Sequence, residues 1–423
     1  MRISSTRSIR FPPGFLWGTA TASHQVEGGN RWNDWWQLEQ AGRLPYVSGD
    51  ACRHYELFEQ DFNLVKSSAQ NAHRLSIEWS RIEPAPGQWN VDAINHYVSV
   101  VKALRQRGVE PLLTLHHFSN PHWFAERGGW HASGAVELFK RFVERVIPHL
   151  IGDVRLWLTI NEPTVYVKRA YISGVWPPCA GRSIWKAVRA LRNMLAAHRA
   201  AYAILHRARA DVLVGFAHST PWVVPCDAGR VLDRLAASAR DFVLNRLPYR
   251  MLHWRRPSRV VDFVGVNYYT RSVTRWRPSG LAALVGAECR EDHHGEPRSF
   301  NSLGWEIYPR GLRETLRRMA RFGVPLIVTE NGISTRDEQL RVRFLQQHIS
   351  ELALAVEEGL PILGYFYWTL YDNFEWTEGY ESSFGLAAVD RLTQARLPRP
   401  AAEAYRRICA DNSVNLESPT SVE

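Results

Sequence analysis

Short apolar runs alternate with longer amphipathic stretches along the whole chain, a rhythm that predicts repeated strand-helix units and a parallel sheet. Eight runs read as strands, near 15–19, 72–77, 110–115, 155–160, 212–217, 261–266, 326–329 and 362–367. Helical patterns cover 55–69, 91–107, 134–150, 183–209, 230–247, 310–322, 337–358 and, after the last strand, 400–410. Eight such units close into a single-domain α/β structure, a (β/α)8 TIM barrel. The chain has 423 residues, well above the roughly 250 such a barrel needs. The surplus falls at 18–53, 116–132, 161–182, 268–308 and 369–398, each stretch following a predicted strand. Long loops at the C-terminal ends of the strands are where this fold keeps its chemistry. No linker interrupts the series, so one domain is expected over 1–411, with a loose tail over 412–423.

Composition narrows the class. With 45% hydrophobic and 22% charged residues the chain reads as a large globular protein. No apolar run approaches the roughly 20 residues that cross a bilayer, and the basic N-terminus lacks an apolar segment before its Pro-Pro-Gly turn. No membrane partner is expected. Cys52, Cys179, Cys226, Cys289 and Cys409 are scattered, with neither zinc-site pairs nor the even count of a disulfide framework. That pattern predicts a reducing, cytoplasmic setting. The net charge of +10 raises nucleic acid as a partner, with "HWRRPSR" or "LRNMLAAHRAAYAILHRARAD" as the face. The arginines are instead spread through helical patterns among Glu and Asp, as on solvated faces, so no nucleic-acid partner is predicted.

Two of the apolar strands end unexpectedly. "LWLTINEP" runs into Asn161 and Glu162, and "PLIVTENG" into Glu330, Asn331 and Gly332. Carboxylates in poorly solvated places are costly. These two belong to the fourth and seventh strands, so a closed barrel turns them toward one opening from opposite sides. Facing carboxyl groups suit glycosidic bond cleavage: one attacks the anomeric carbon or activates water while the other protonates the leaving oxygen. The tryptophans agree, since Trp17, Trp32, Trp35, Trp36, Trp79, Trp123, Trp130, Trp305, Trp368 and Trp376 fall near proposed strand ends and loops. A flat ring with an N–H at its edge suits a pyranose.

An ordered set of motifs, "FPPGFLWGTATASHQVEGG", "RLSIEWSRIEP", "LTINEP", "VGVNYYT", "IVTENG", "YWTLYDNFEWTEGY" and "FGLAAVD", resembles glycoside hydrolase family 1, the retaining β-glucosidases and their relatives. The resemblance covers nearly the whole chain. It implies that Glu330 is the nucleophile and Glu162 the acid/base, with Arg74 and Tyr269 holding Glu330 and Asn161 binding the sugar 2-hydroxyl. It further implies that Gln25, His117, Glu375 and Trp376 grip the glycone, that Trp368 is its stacking platform, and that Trp305 walls the aglycone side. The partner would be a small β-glycoside or oligosaccharide with terminal β-glucosyl, and also β-galactosyl or β-fucosyl, residues. No cofactor or metal is needed for such a mechanism, and the His and carboxylate spacings do not suggest a metal site. Glu375 would repel a phosphorylated sugar.

Some positions depart from the family pattern. The family usually has His-Trp-Asp where this chain has His117, Phe118 and Ser119, so one indole N–H to the glycone is missing. The segment from Pro225 to Val260 is shorter than usual. Glu78, where a small residue is frequent, reads as a buried ion-pair partner for an arginine. His24, His116, His218 and Asn267 read as structural. A transglycosylase would share every residue named. A non-catalytic sugar-binding relative would be expected to have lost a carboxylate, and both are present.

Overall fold

The computed structural model describes residues 7–253, 260–280, 282–291 and 298–416. Residues 254–259 of the basic run "HWRRPSR" therefore lie outside the described residues. Eight parallel strands close into a barrel: β1 (Leu16–Ala20), β2 (Ala72–Ser76), β3 (Glu110–Thr114), β4 (Leu156–Asn161), β5 (Leu213–Ser219), β6 (Val264–Asn267), β7 (Leu326–Asn331) and β8 (Ile362–Trp368). Each pairs with its sequence neighbours, and β8 closes against β1 through Gly364 to Trp368 on Leu16 to Ala20. All six residues of β4 and all six of β7 are buried, as expected for strands covered on both faces.

The expected helices surround the barrel: α1 (His54–Ser67), α2 (Val91–Gln106), α3 (Ala135–Leu150), α4 (Ile184–Ala208), α5 (Val231–Asp241), α6 (Arg310–Met319), α7 (Glu338–Glu357) and α8 (Pro400–Asp411). Their starts follow local chemistry. Asn90, Ser183 and Asp337 each accept a hydrogen bond from a backbone N–H in the first turn of α2, α4 and α7, which satisfies donors no helix can pair internally.

Three expectations change here. The loose tail is fixed over its first residues: Ser413–Leu416 pairs antiparallel with Arg7–Arg10. Asn412 adds to this, accepting from Trp17 Nε1 at 2.9 Å and donating to the Phe11 carbonyl at 2.9 Å. Second, Cys226 and Cys289 form a disulfide across 63 residues. Cys226 N–H donates to the Thr274 carbonyl and Cys289 N–H to that of Val273. Both cysteines thus border the strand Arg271–Arg275, the middle of a small sheet with Trp222–Pro225 and Ala287–Glu288. Linear spacing could not reveal that meeting, and it removes the cysteine argument for a reducing compartment. Third, several tryptophans expected around the opening are core. Trp17 packs on Phe11, Phe15 and Tyr405 below the barrel, and Trp79 on Trp123, Phe139 and Phe142 between helices. Among the described residues no helix is long and apolar enough to cross a membrane.

Candidate active site

The strand ends place Glu162 and Glu330 at one end of the barrel. Glu162 follows β4 directly. Its backbone N–H still bonds the Ala217 carbonyl of β5 at 2.8 Å, yet its φ of +42° leaves the extended region. Pro163 then opens a short helix at its first position, where a missing N–H costs nothing. A non-glycine residue held at positive φ is strained, and such strain concentrates at functional sites. Glu330 lies on β7 itself. Its neighbours explain the rest of the motif: Asn331 donates to the Tyr268 carbonyl at 2.7 Å and accepts from Tyr365 Oη at 2.8 Å. Gly332 lies so close to β8 that a Cβ there would sit 1.9 Å from the Trp368 carbonyl oxygen.

A continuous hydrogen-bond chain joins the expected residues. Arg74 Nη1 donates to Glu330 Oε1 at 2.6 Å, and Tyr269 Oη to Glu330 Oε2 at 2.5 Å. Both carboxylate oxygens of Glu330 are thereby held. Arg74 Nη2 reaches Asn161 Oδ1 at 2.7 Å, and Asn161 Nδ2 donates to His117 Nε2 at 3.1 Å. Arg74 is fully buried, so its charge acts in a poorly screened setting. Glu162 is buried too. Burial first, and the negative Glu330 second, push its carboxyl up to about 8 against the opposing pull of Arg74 and an Asn267 hydrogen bond. Such a group retains its proton at neutral pH.

Sequence reasoning undervalued Asn267. It donates through Nδ2 to Glu162 Oε1 at 2.9 Å and to Asn161 Oδ1 at 3.2 Å, while its Oδ1 accepts from Thr329 Oγ1 at 2.6 Å. Its position at the end of β6, before Tyr268 and Tyr269, is the signal that marked it as strand-terminal but not as a contact of Glu162. Trp176 was also missed. It packs on Phe118 and Trp376 at centroid distances of 4.8 and 5.8 Å, from a loop with no pattern to announce it.

A second cluster lies beside the first. Gln25 Nε2 donates to Glu375 Oε2 at 3.0 Å, the Phe374 carbonyl at 2.9 Å and Asn373 Oδ1 at 3.1 Å. Burial, then the charge of Glu330, raises Glu375 to about 8, opposed by hydrogen bonds from Gln25 and Trp368. The His117 ring lies nearly parallel to Trp368 and Trp376, at 5.8 and 6.2 Å. Trp305 stands further out, against Tyr269 and Phe384. All the residues expected at the site are thus brought together around one opening.

Of the buried polar atoms without a partner among the described residues, Gln25 Oε1 and His117 Nδ1 belong to the glycone cluster, and Trp176 Nε1 lies beside it. Burial and the nearby Arg74 charge hold His117 well below its usual range, hence neutral. The Arg74 bond fixes the Asn161 amide so that its NH2 faces His117 Nε2, which places the imidazole proton on Nδ1. The glycone cluster therefore presents a free donor, His117 Nδ1–H, and a free acceptor, Gln25 Oε1. A hydroxyl can satisfy either.

Glu78 does not form the expected arginine ion pair. Fully buried, it accepts instead from three serine hydroxyls, Ser23 Oγ at 3.0 Å, Ser80 Oγ at 2.7 Å and Ser119 Oγ at 2.8 Å. Nearby Arg81 is engaged by Glu27 at 2.8 Å. His24 bonds Glu39 and Asn33, His116 bonds Asn120, and His218 bonds the Leu244 carbonyl, all structural contacts.

A closed barrel that presents two glutamates and a polar, aromatic-lined floor at one opening has the equipment of a glycosidic-bond hydrolase. Comparison with known proteins agrees. The chain matches the glycosyl hydrolase family 1 profile over residues 7–250 and 251–414. It is 30% identical to beta-glucosidase A of Thermotoga maritima over 449 residues, covering 96% of this chain and 99% of that protein. It is 29% identical to the beta-galactosidase of Pyrococcus woesei over 510 residues, covering 96% and 98%. Among solved structures, a beta-glycosidase from Pyrococcus horikoshii superposes with a TM-score of 0.89 at 39% identity, covering 97% of each chain. The chain belongs to glycosyl hydrolase family 1, and it is an O-glycosyl hydrolase of the β-glucosidase type.

Proposed function

We propose that this enzyme removes terminal β-glucosyl residues from small glycosides by double displacement, with Glu330 as the nucleophile and Glu162 as the acid/base. The observation that carries the assignment is the unequal environment of the two carboxyls. Glu330 accepts from a buried guanidinium and a phenol, one on each oxygen, contacts that hold it in place for attack. Glu162 is pushed up to about 8. Glu330 attacks the anomeric carbon while Glu162 gives its proton to the leaving oxygen. Once Glu330 is glycosylated its charge is gone, the acid/base becomes more acidic, and it takes a proton from the incoming water. Asn161 reaches the 2-hydroxyl with the amide proton His117 does not use. Gln25, His117 and Glu375 take the vicinal hydroxyls, Trp368 and Trp376 supply the apolar walls, and Trp305 flanks the aglycone.

Glycone choice is proposed to be tolerant, extending to β-galactosides and β-fucosides, because Phe118 brings no indole donor; a relative's name, beta-galactosidase, supports this reach. The experiment compares Glu162→Ala with Glu330→Gly across aryl glucosides of graded leaving-group acidity. Glu162→Ala should lose most with poor leaving groups and least with dinitrophenyl glucoside, while Glu330→Gly should lose all of them. Equal dependence on leaving group in both variants would overturn the assignment. Product NMR must also show retention at the anomeric carbon.

A further inference from the structure

We infer that Glu78 is a positioning residue for sugar binding: its carboxylate clamps together the two segments that present Gln25 and His117. The inference rests on the glycone roles proposed for those two side chains. Glu78 lies just past the end of β2, the strand that carries Arg74, and caps the short helix Trp79–Ile82 by accepting from Ser80. One oxygen, Oε2, receives two further hydroxyls. Ser23, at 3.0 Å, opens the short helix Ser23–Val26 that carries Gln25. Ser119, at 2.8 Å, lies two residues after His117.

The second segment needs holding. Phe118, between His117 and Ser119, sits at φ +68°, a conformation that a bulky residue adopts only when its surroundings enforce it. The Phe118 ring is packed on Trp176 and Trp376, His117 is bonded by Asn161, and Asn120 is tied to Asp34; the turn between them has its own bonds. Ser119 N–H bonds the His117 carbonyl at 2.9 Å, Trp35 Nε1 reaches the Phe118 carbonyl at 3.4 Å, and Ser119 Oγ bonds Glu78. Without the last, the turn at Ser119 loses its tie to β2, and the His117 ring can shift from its near-parallel setting against Trp368 and Trp376. On the other side Ser23 is also tied to Ser76 of β2, whose Oγ accepts the Ser23 N–H at 2.7 Å. Glu78 and Ser76 together therefore register the Gln25 helix on β2. The Glu78 carboxyl serves here as an acceptor of hydroxyls from both elements. Its acceptor geometry fixes the distance between His117 Nδ1–H and Gln25 Oε1, the donor and acceptor a sugar's hydroxyls must bridge.

The test is kinetic, with 4-nitrophenyl β-D-glucoside. Ser119→Ala deletes one bond and keeps the carboxylate, Glu78→Gln keeps the shape and loses an acceptor, and Ser119→Thr retains a hydroxyl. Ser119→Ala and Glu78→Gln should each lower kcat/KM about tenfold, chiefly through KM, the effect of losing one bond to a charged group. Ser119→Thr should restore most of it. In a Gln25→Ala, His117→Ala background the same changes should cost less than threefold, because the groups being positioned are gone. If Gln25→Ala or His117→Ala alone leaves KM unchanged, the glycone assignment fails and this inference with it. If those variants lose sugar binding but Ser119→Ala and Glu78→Gln change only the melting temperature, the clamp is overturned and the assignment stands. Should Glu78→Gln fold poorly, Ser119→Ala against Ser119→Thr decides.

Discussion

Replacing Asn267 with leucine tests how the protonation of Glu162 is set. Asn267 Nδ2 lies 2.9 Å from Glu162 Oε1 and favours the charged carboxylate. A bond to a charged group contributes about 1.5 to 3 kcal/mol, and one pKa unit corresponds to about 1.4 kcal/mol. Full loss would thus raise Glu162 by about one to two units. The donor is shared with Asn161 Oδ1 at 3.2 Å, which favours the lower figure. Glu162 should then move from about 8 to roughly 9. The direction follows from the loss of a contact that the ionised form rewards more than the neutral one. The assay is the basic limb of kcat/KM against pH, with a phenyl glucoside whose poor leaving group needs the proton. At pH 9 the variant should retain about half of its own plateau, where the wild type retains about a tenth. Dinitrophenyl glucoside is the control, because it leaves without a proton and should show no comparable shift. Thr329→Val in the same background removes the hydroxyl that loses its acceptor when Asn267 Oδ1 is gone. A basic limb that stays in place, moves to lower pH, or moves equally with both substrates refutes the reasoning.

Glu162 also makes stability depend on pH. Its native carboxyl holds a proton up to about 8, against an ordinary value of 4.5. The folded state therefore binds more protons across that window, and this group's contribution to stability falls as pH rises from 4.5 to 8. Glu162→Gln should raise the melting temperature relative to wild type more at pH 8.5 than at pH 5; a difference independent of pH would count against it. Phe118→Trp should raise the kcat/KM ratio of glucoside over galactoside by about tenfold, if one hydrogen bond to the glycone is regained. An unchanged ratio in a folded variant would show that position 118 does not set glycone choice. Gly332→Ala should push the Trp368 backbone away, costing about 1 to 3 kcal/mol of stability and raising KM; a variant with wild-type melting and KM would show that the close approach is dispensable.

The barrel was legible because each strand is buried on both faces and writes an unbroken apolar run, while the helices write their own period. The prediction of 326–329 as a strand met Leu326–Asn331, and 362–367 met Ile362–Trp368. The site was legible for a related reason: Glu162, Asn161, Glu330 and Tyr269 follow those apolar runs closely, where a polar residue stands out. What stayed hidden depends on pairings between distant segments. The small sheet on Arg271–Arg275 has strands too short to show alternation, and it alone brings Cys226 to Cys289. Trp79 and Trp123 looked like loop residues because their core partners lie on α3 and the short segment His122–Glu126. Glu78 was assigned an arginine because a buried carboxylate needs a partner, but three serines met that need, and nothing in a linear sequence reveals that Ser23 and Ser119 converge.

Arg7–Arg10 and Ser413–Leu416 run side by side, and Asn412 is fastened to Phe11 and Trp17. Both ends of the described chain therefore emerge together where β1 begins, at the pole of the barrel opposite the two glutamates. A short linker across that pole should let the polypeptide be cut open elsewhere, in an outer connection such as 390–395, giving a circular permutant with the same opening. Attached to a solid support through either end, the enzyme would turn its mouth outward to the surrounding liquid.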